Sequence, residues 1–185
     1  MIFLRSLCLA VAAIGVLARQ SHPEKRGMVK VFLKLGVRDA PSAYDSTIHK
    51  INYYRGLTTD TMAGPKSDRE AKLVSITAGV LDVVKTYSRD FEANLSLLDL
   101  VNIGNSGQMP EFGNQLYIIL RSCKGIHNET LYNNIRAIST EVDGLGSFMA
   151  KKLPKLLSDV IVPVFAKYSN RIDMIEKTTM PRKAA

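Results

Sequence analysis

Residues Phe148 to Phe165 read FMAKKLPKLLSDVIVPVF. An apolar run, a lysine cluster and two prolines share this segment. Three structures could produce it: a membrane span, a helix lying on a membrane surface, or one wall of a folded bundle. A spanning helix needs about 20 consecutive apolar residues. Asp159 and Lys167 bracket only VIVPVFA, Val160 to Ala166, so no transmembrane anchor is expected. The rest of the chain separates the other two readings.

From Pro41 onward the hydrophobic period is helical. Tyr44, Ile48, Ile51 and Tyr54 recur every three or four residues, behind Asp39 and Pro41 at an N-terminal start signal. Gly56 is expected to end this first helix, and LTTDTMAGPKSD to form a polar, turn-rich linker. A second helix is predicted from about Ser67 to Phe91, with Leu73, Ile76, Val80, Val83 or Val84, Tyr87 and Phe91 on its apolar stripe. Ser67 and Glu70 have the spacing of a capping box. Ser96 and Asp99 repeat a start signal before a third segment. Its later half carries Phe112, Leu116, Ile119, Leu120 and Cys123. Gly104, Gly107 and Pro110 disfavour a continuous helix in its earlier half, VNIGNSGQMP, so a kink or break is expected there.

The fourth helix has the clearest rhythm. Leu131, Ile135, Ile138, Val142, Leu145 and Phe148 or Met149 step by four and three, behind Asn128 as cap. Lys151 and Lys152 fall in its last turn, where the helix dipole favours cations. Pro154 then turns the chain into a last helix whose broad face carries Leu157, Val160, Ile161, Val164, Phe165, Tyr168 and Ile172. No useful length of strand alternation appears. The sequence predicts an all-α fold, an antiparallel bundle of about five amphipathic helices. FMAKKLPKLLSDVIVPVF thus reads as a helix–turn–helix corner with its apolar face inward. Pro163 either marks a tolerated kink or bows this wall and leaves room for a ligand.

The first 18 residues, MIFLRSLCLAVAAIGVLA, have a basic start, an apolar core and a Val-x-Ala ending, which predicts a secretory signal peptide. Lys25-Arg26 is either a dibasic site closing a propeptide of residues 19–26 or an ordinary solvated pair. Residues 27–185 would then form the single helical domain. Loss of residues 1–26 would lower the formal net charge from +8 to +5. The basic residues form no stripe interleaved with aromatics, so nucleic acid is not an expected partner. Cys8 leaves with the signal. Cys123 then has no disulfide partner and sits on an apolar stripe as a small hydrophobe.

Catalytic chemistry has little support. His22, His49 and His127 share no metal-ligand spacing. No nucleophile elbow, phosphate loop or dinucleotide fingerprint occurs. A non-enzyme without a cofactor or metal is expected. Asn94-Leu-Ser96 and Asn128-Glu-Thr130 are sequons at expected helix starts, so Asn94 and Asn128 are candidate glycosylation sites. The polar ending TTMPRKAA predicts no GPI anchor.

Three stretches carry a family resemblance: RDAPSAYDSTIHKINYYRGL from Arg38, LSLLDLVNIG from Leu95, and ISTEVDGLGSFMAKKLPKLLSDVIVPVFAKY from Ile138. Their order and motifs make the chain resemble the fungal hydrophobic surface-binding protein A and cell-wall galactomannoprotein family. The resemblance implies a secreted, extracellular or wall-associated helical domain without catalysis. It also implies adsorption to hydrophobic surfaces or a fatty acid held inside the bundle, with cell-wall polysaccharide as a further association. The family supplies no catalytic residues to carry over. The apolar stripes supply the candidate lining of a lipid site: Val80 and Val84 on the second helix, and Phe112, Leu116 and Leu120 on the third. Ile138 and Leu145 on the fourth helix and Val160 and Val164 on the last complete it. A carboxylate head group is expected near solvent beside Lys151, Lys152 or Lys155, because burying an unpaired charge is costly. The alternative is a solid-cored protein that adsorbs to a surface or meets a host protein through its exterior. A tunnel lined by Leu116, Leu145 and Val164 would favour the lipid; an exposed apolar patch would favour the exterior.

Overall fold

The structure is a computed structural model that describes residues 42–94, 108–152 and 155–181. The expected signal peptide, the dibasic pair, Asp39, Pro41, LSLLDLVNIG and the expected Pro154 corner lie outside the described residues. The described chain forms α1 (Ser42–Ala63), α2 (Lys66–Asn94), α3 (Gln108–Arg121), α4 (Glu129–Lys152) and α5 (Lys155–Thr179). No strand occurs among the described residues.

Two boundaries differ from the sequence expectation. Helix α1 runs through Gly56 to Ala63, and most of the expected linker is helical. An interior glycine costs only about 1 kcal/mol relative to alanine. Against that cost, Thr58 and Thr61 are buried beyond Gly56, and the Thr58 hydroxyl donates to the Tyr54 carbonyl at 2.8 Å. The Gly64 amide then closes the helix on the Asp60 carbonyl at 3.0 Å, and Pro65 prevents its continuation. Helix α2 begins one residue before Ser67, whose hydroxyl donates to the Asp68 carboxylate at 2.9 Å. Ser67 therefore does not cap the helix. Glu70 accepts a bond from Asn128 instead.

The other end signals behave as their chemistry requires. Asn128 Oδ1 accepts from the Leu131 amide at 2.9 Å, an N-cap for α4. Helix α3 starts at Gln108 and tolerates Pro110 in its first turn, where amides have no helical acceptor. It leaves through tight turns at 122–125. The loop passes through Gly125 at φ 81°, a backbone shape that glycine adopts without a Cβ penalty.

Contacts between helices close a ring in the order α1, α2, α4, α5, α3 and back to α1. Tyr54 lies on Gly79 and Tyr44 meets Tyr87, so α1 and α2 are antiparallel. Thr77 with Asn134 and Phe91 with Phe148 make α2 and α4 parallel. Ser139 with Asp173 and Gly146 with Phe165 make α4 and α5 antiparallel. Gly113 with Tyr168 and Tyr117 with Arg171 make α3 and α5 parallel. Successive helices therefore alternate in direction, while several neighbours in the ring are not successive in sequence.

The core fills the ring. All members of the expected α2 stripe are buried, as are Leu131, Ile135, Ile138, Val142, Leu145 and Met149 of α4. An aromatic chain crosses one end: Tyr87 to Phe112 at 5.3 Å, Tyr87 to Phe91 at 5.5 Å and Phe91 to Phe148 at 6.0 Å between centroids. The later half of helix α5 buries Ser169, Ile172, Ile175 and Thr179, and Val164, Phe165 and Tyr168 before it are half-buried. Pro163, inside the helix, is exposed. No described helix is long and apolar enough to cross a membrane.

Candidate functional site

A small cavity lies where α2, α3, α4 and α5 meet. Tyr87 comes from α2, Phe112, Gly113 and Leu116 from α3, Val142 and Leu145 from α4, and Val164, Phe165 and Tyr168 from α5. Each reaches the interior because it lies on its helix's inward stripe, three or four residues from the next. The volume is about 20 Å³. That is room for about one water molecule, and a lining this apolar offers a water few partners.

The seam between α5 and its neighbours rests on two glycines. A Cβ at Gly113 would lie 2.7 Å from three atoms of the Tyr168 ring, so this ring lies against bare α3 backbone. A Cβ at Gly146 would lie 3.0 Å from Cβ of Phe165. Two aromatic side chains of α5 are thus set against helices that present no side chain at the contact. The Tyr168 hydroxyl donates to Asn114 Oδ1 at 3.4 Å, and the Arg171 guanidinium stands 5.3 Å from the Tyr117 ring centroid.

Of the candidate lining residues, the structure brings Phe112, Leu116, Leu145 and Val164 to this cavity. Val80, Val84, Leu120 and Ile138 are buried in the core away from its wall. The Val160 side chain lies outside the described residues. Leu116, Leu145 and Val164, whose tunnel would favour the lipid, meet here around a space the size of a packing defect. Sequence reasoning did not assign Tyr87, Gly113, Val142, Phe165 and Tyr168 to a site. All but Gly113 stood on the predicted stripes. A glycine on a buried helix face was the available signal for close approach.

Lys151, Lys152 and Lys155 are exposed and do not line the cavity. Lys152 Nζ stands 5.8 Å from the Phe148 ring centroid. Burial raises the Tyr87 hydroxyl pKa, with the neighbouring Tyr44 adding to the shift. Burial also raises that of Tyr168, and the Arg171 charge opposes the rise. Cys123 is buried, and burial pushes its thiol up to about 12, so it is not a nucleophile at neutral pH. His49 is exposed. His127 Nδ1 lies 2.9 Å from the Met180 carbonyl. No group of His, Cys, Asp and Glu able to hold a metal occurs among the described residues.

The two sequons differ from each other. Asn128 does stand at a helix start, but its Nδ2 donates to Glu70 at 2.7 Å, so a glycan there would replace an α2–α4 link. Asn94 is the last residue of α2 rather than the start of the next helix, and its side chain lies outside the described residues.

These features define a helical bundle with an apolar interior and a minimal void. Comparison with protein-family models, curated proteins and solved structures found no match.

Proposed function

We propose that the protein is a secreted or wall-associated, non-catalytic carrier of a single-chain fatty acid, held between α2, α3, α4 and α5. The observation that carries this reading is how α5 closes the cavity. Its later half is anchored by buried Ile172 and Ile175 and by the 2.6 Å bond from Ser139 to Asp173. Pro163 removes a bond from the helical ladder just before Val164, Phe165 and Tyr168, the residues by which α5 lines the cavity. Drug-sized ligands occupy about 300 Å³ or more, so an acyl chain enters only as the part of α5 that carries Val164, Phe165 and Tyr168 moves outward. Each buried methylene contributes about 0.8 kcal/mol. A long chain therefore reaches the roughly 8 kcal/mol of micromolar affinity after ordering costs. The signal-like N-terminus and the family resemblance support the extracellular setting.

Native mass spectrometry of the purified protein should find a co-purified lipid, and titration with palmitic acid should saturate. Val164→Trp should fill the cavity and weaken binding while circular dichroism stays unchanged. Absence of saturable binding, or indifference to Val164→Trp, would sink the carrier reading.

The cavity's size favours a second reading. A solid-cored bundle would act through its exterior, on a hydrophobic surface, wall polysaccharide or a host protein. Among the described residues the large exposed apolar side chains are Tyr53 and Met62 on α1, Ile118 on α3, Met174 on α5 and Met180 just beyond it. Adsorption to hydrophobic beads without fatty-acid binding would select this reading.

A further inference from the structure

The carrier reading leaves open where the charged end of a lipid would rest. The exposed lysines near the α4–α5 corner stand apart from the cavity wall. The α3–α5 seam offers different chemistry. Tyr168 is both a wall of the cavity and a surface residue, so its ring separates the apolar interior from solvent groups. On the solvent side, the Arg171 guanidinium stands 6.0 Å from the Tyr168 ring centroid and 5.3 Å from that of Tyr117. Two aromatic rings thus orient this half-buried cation. It has no carboxylate partner among the described residues; the ion pairs there are Lys72 with Asp68 and Arg89 with Asp90. Asn114 Oδ1 lies 3.4 Å from the Tyr168 hydroxyl, and its Nδ2 has no acceptor among the described residues. Lys167, one turn before Arg171, adds positive charge on an exposed position. Glu111, one turn before Asn114, exerts its charge on Tyr44 of α1, which is not the α5 side.

We infer that Arg171 and Asn114 form the head-group subsite of the carrier, receiving the carboxylate of a fatty acid whose chain passes Tyr168 into the cavity. The planar guanidinium matches a carboxylate through paired N–H bonds, which an ammonium cannot reproduce. The site lies at the surface, so the carboxylate keeps part of its hydration, and the aromatic plates keep the guanidinium in place without neutralising it. This assignment rests on the carrier reading and moves the charged end from the lysine cluster to the α3–α5 seam.

The test compares palmitic acid with hexadecanol, which has the same chain length and no charge, by calorimetric titration of the full chain. Wild type should bind the acid more tightly than the alcohol. Arg171→Gln should weaken palmitic acid about tenfold, the loss expected for a hydrogen bond to a charged group, and leave hexadecanol unchanged. Arg171→Lys should fall between the two, and Asn114→Ala should weaken the acid selectively. Simultaneous replacement of Lys151, Lys152 and Lys155 by Gln should change neither. Circular dichroism checks that each variant is folded. If Arg171→Gln affects both ligands alike or neither, or if the lysine variant reproduces the loss, the subsite assignment is wrong while the carrier reading stands. If wild type binds neither ligand, the carrier reading fails and the subsite falls with it.

Discussion

Gly113 and Gly144 offer the same substitution in opposite surroundings. A Cβ at Gly144 meets nothing within 4 Å, whereas one at Gly113 lies 2.7 Å from three atoms of the Tyr168 ring. Both positions are helical, so replacing glycine by alanine gains about 0.8–1 kcal/mol of helix propensity at each. At 113 the new methyl lies about 1 Å inside the usual 3.5–4.0 Å separation of carbon atoms. The ring must swing or α5 must back away, and such overpacking costs about 1–3 kcal/mol. The propensity gain cancels in the comparison, so Gly144→Ala should exceed Gly113→Ala in stability by about 1–3 kcal/mol. Urea unfolding followed by far-UV circular dichroism measures this difference, provided the denaturant slope is shared. In a thermal melt each kcal/mol corresponds to about 2–4 °C for a chain of this size. Equal stabilisation by the two alanines would refute the close seating of Tyr168 on α3, and with it the account of how α5 closes the cavity.

Leu145→Ala should cost about 2–5 kcal/mol, because the side chain is buried and a void beside it can only grow; a negligible loss in urea unfolding would contradict that burial. Asn128→Ala removes the cap on the Leu131 amide and the link to Glu70. It should cost about 0.5–2 kcal/mol in the same assay, and an unchanged midpoint would deny the cap its role. Stability should also fall on the alkaline side. Burial holds the Cys123 thiol at about 12 and raises the Tyr44 and Tyr87 hydroxyls, whereas in the unfolded chain these groups ionise from roughly pH 8.5 upward. Because the folded-state values are the higher ones, their contribution is complete below that pH and is lost as pH rises through the folded values. Urea midpoints should therefore drop between pH 8 and 11, less steeply for Cys123→Ala; a flat profile would exclude the effect.

The helical period was legible in the residues, because burial of one face imposes it locally. The steps from Leu131 to Met149 and from Leu73 to Phe91 mark buried positions, and Asn128 announces its own cap through a bond to an amide three residues on. Where competing local signals were of similar size, the reading missed. Gly56 looked like an end, yet its penalty is small beside the burial of Thr58 and Thr61, which depends on helices far along the chain. The ring order follows the same logic. Nothing in the stripe of α4 says that it packs between α2 and α5, since an apolar face accepts any complementary partner. Gly113 and Gly146 read as weak helix formers until Tyr168 and Phe165 come to lie against them. The stripes brought Phe112, Leu116, Leu145 and Val164 to the cavity but also nominated Val80, Val84, Leu120 and Ile138, which pack elsewhere, and they say nothing of the space between side chains. Volume is a difference between large packed quantities contributed by separate helices, and a shift of a fraction of an ångström between them turns a solid core into a cavity.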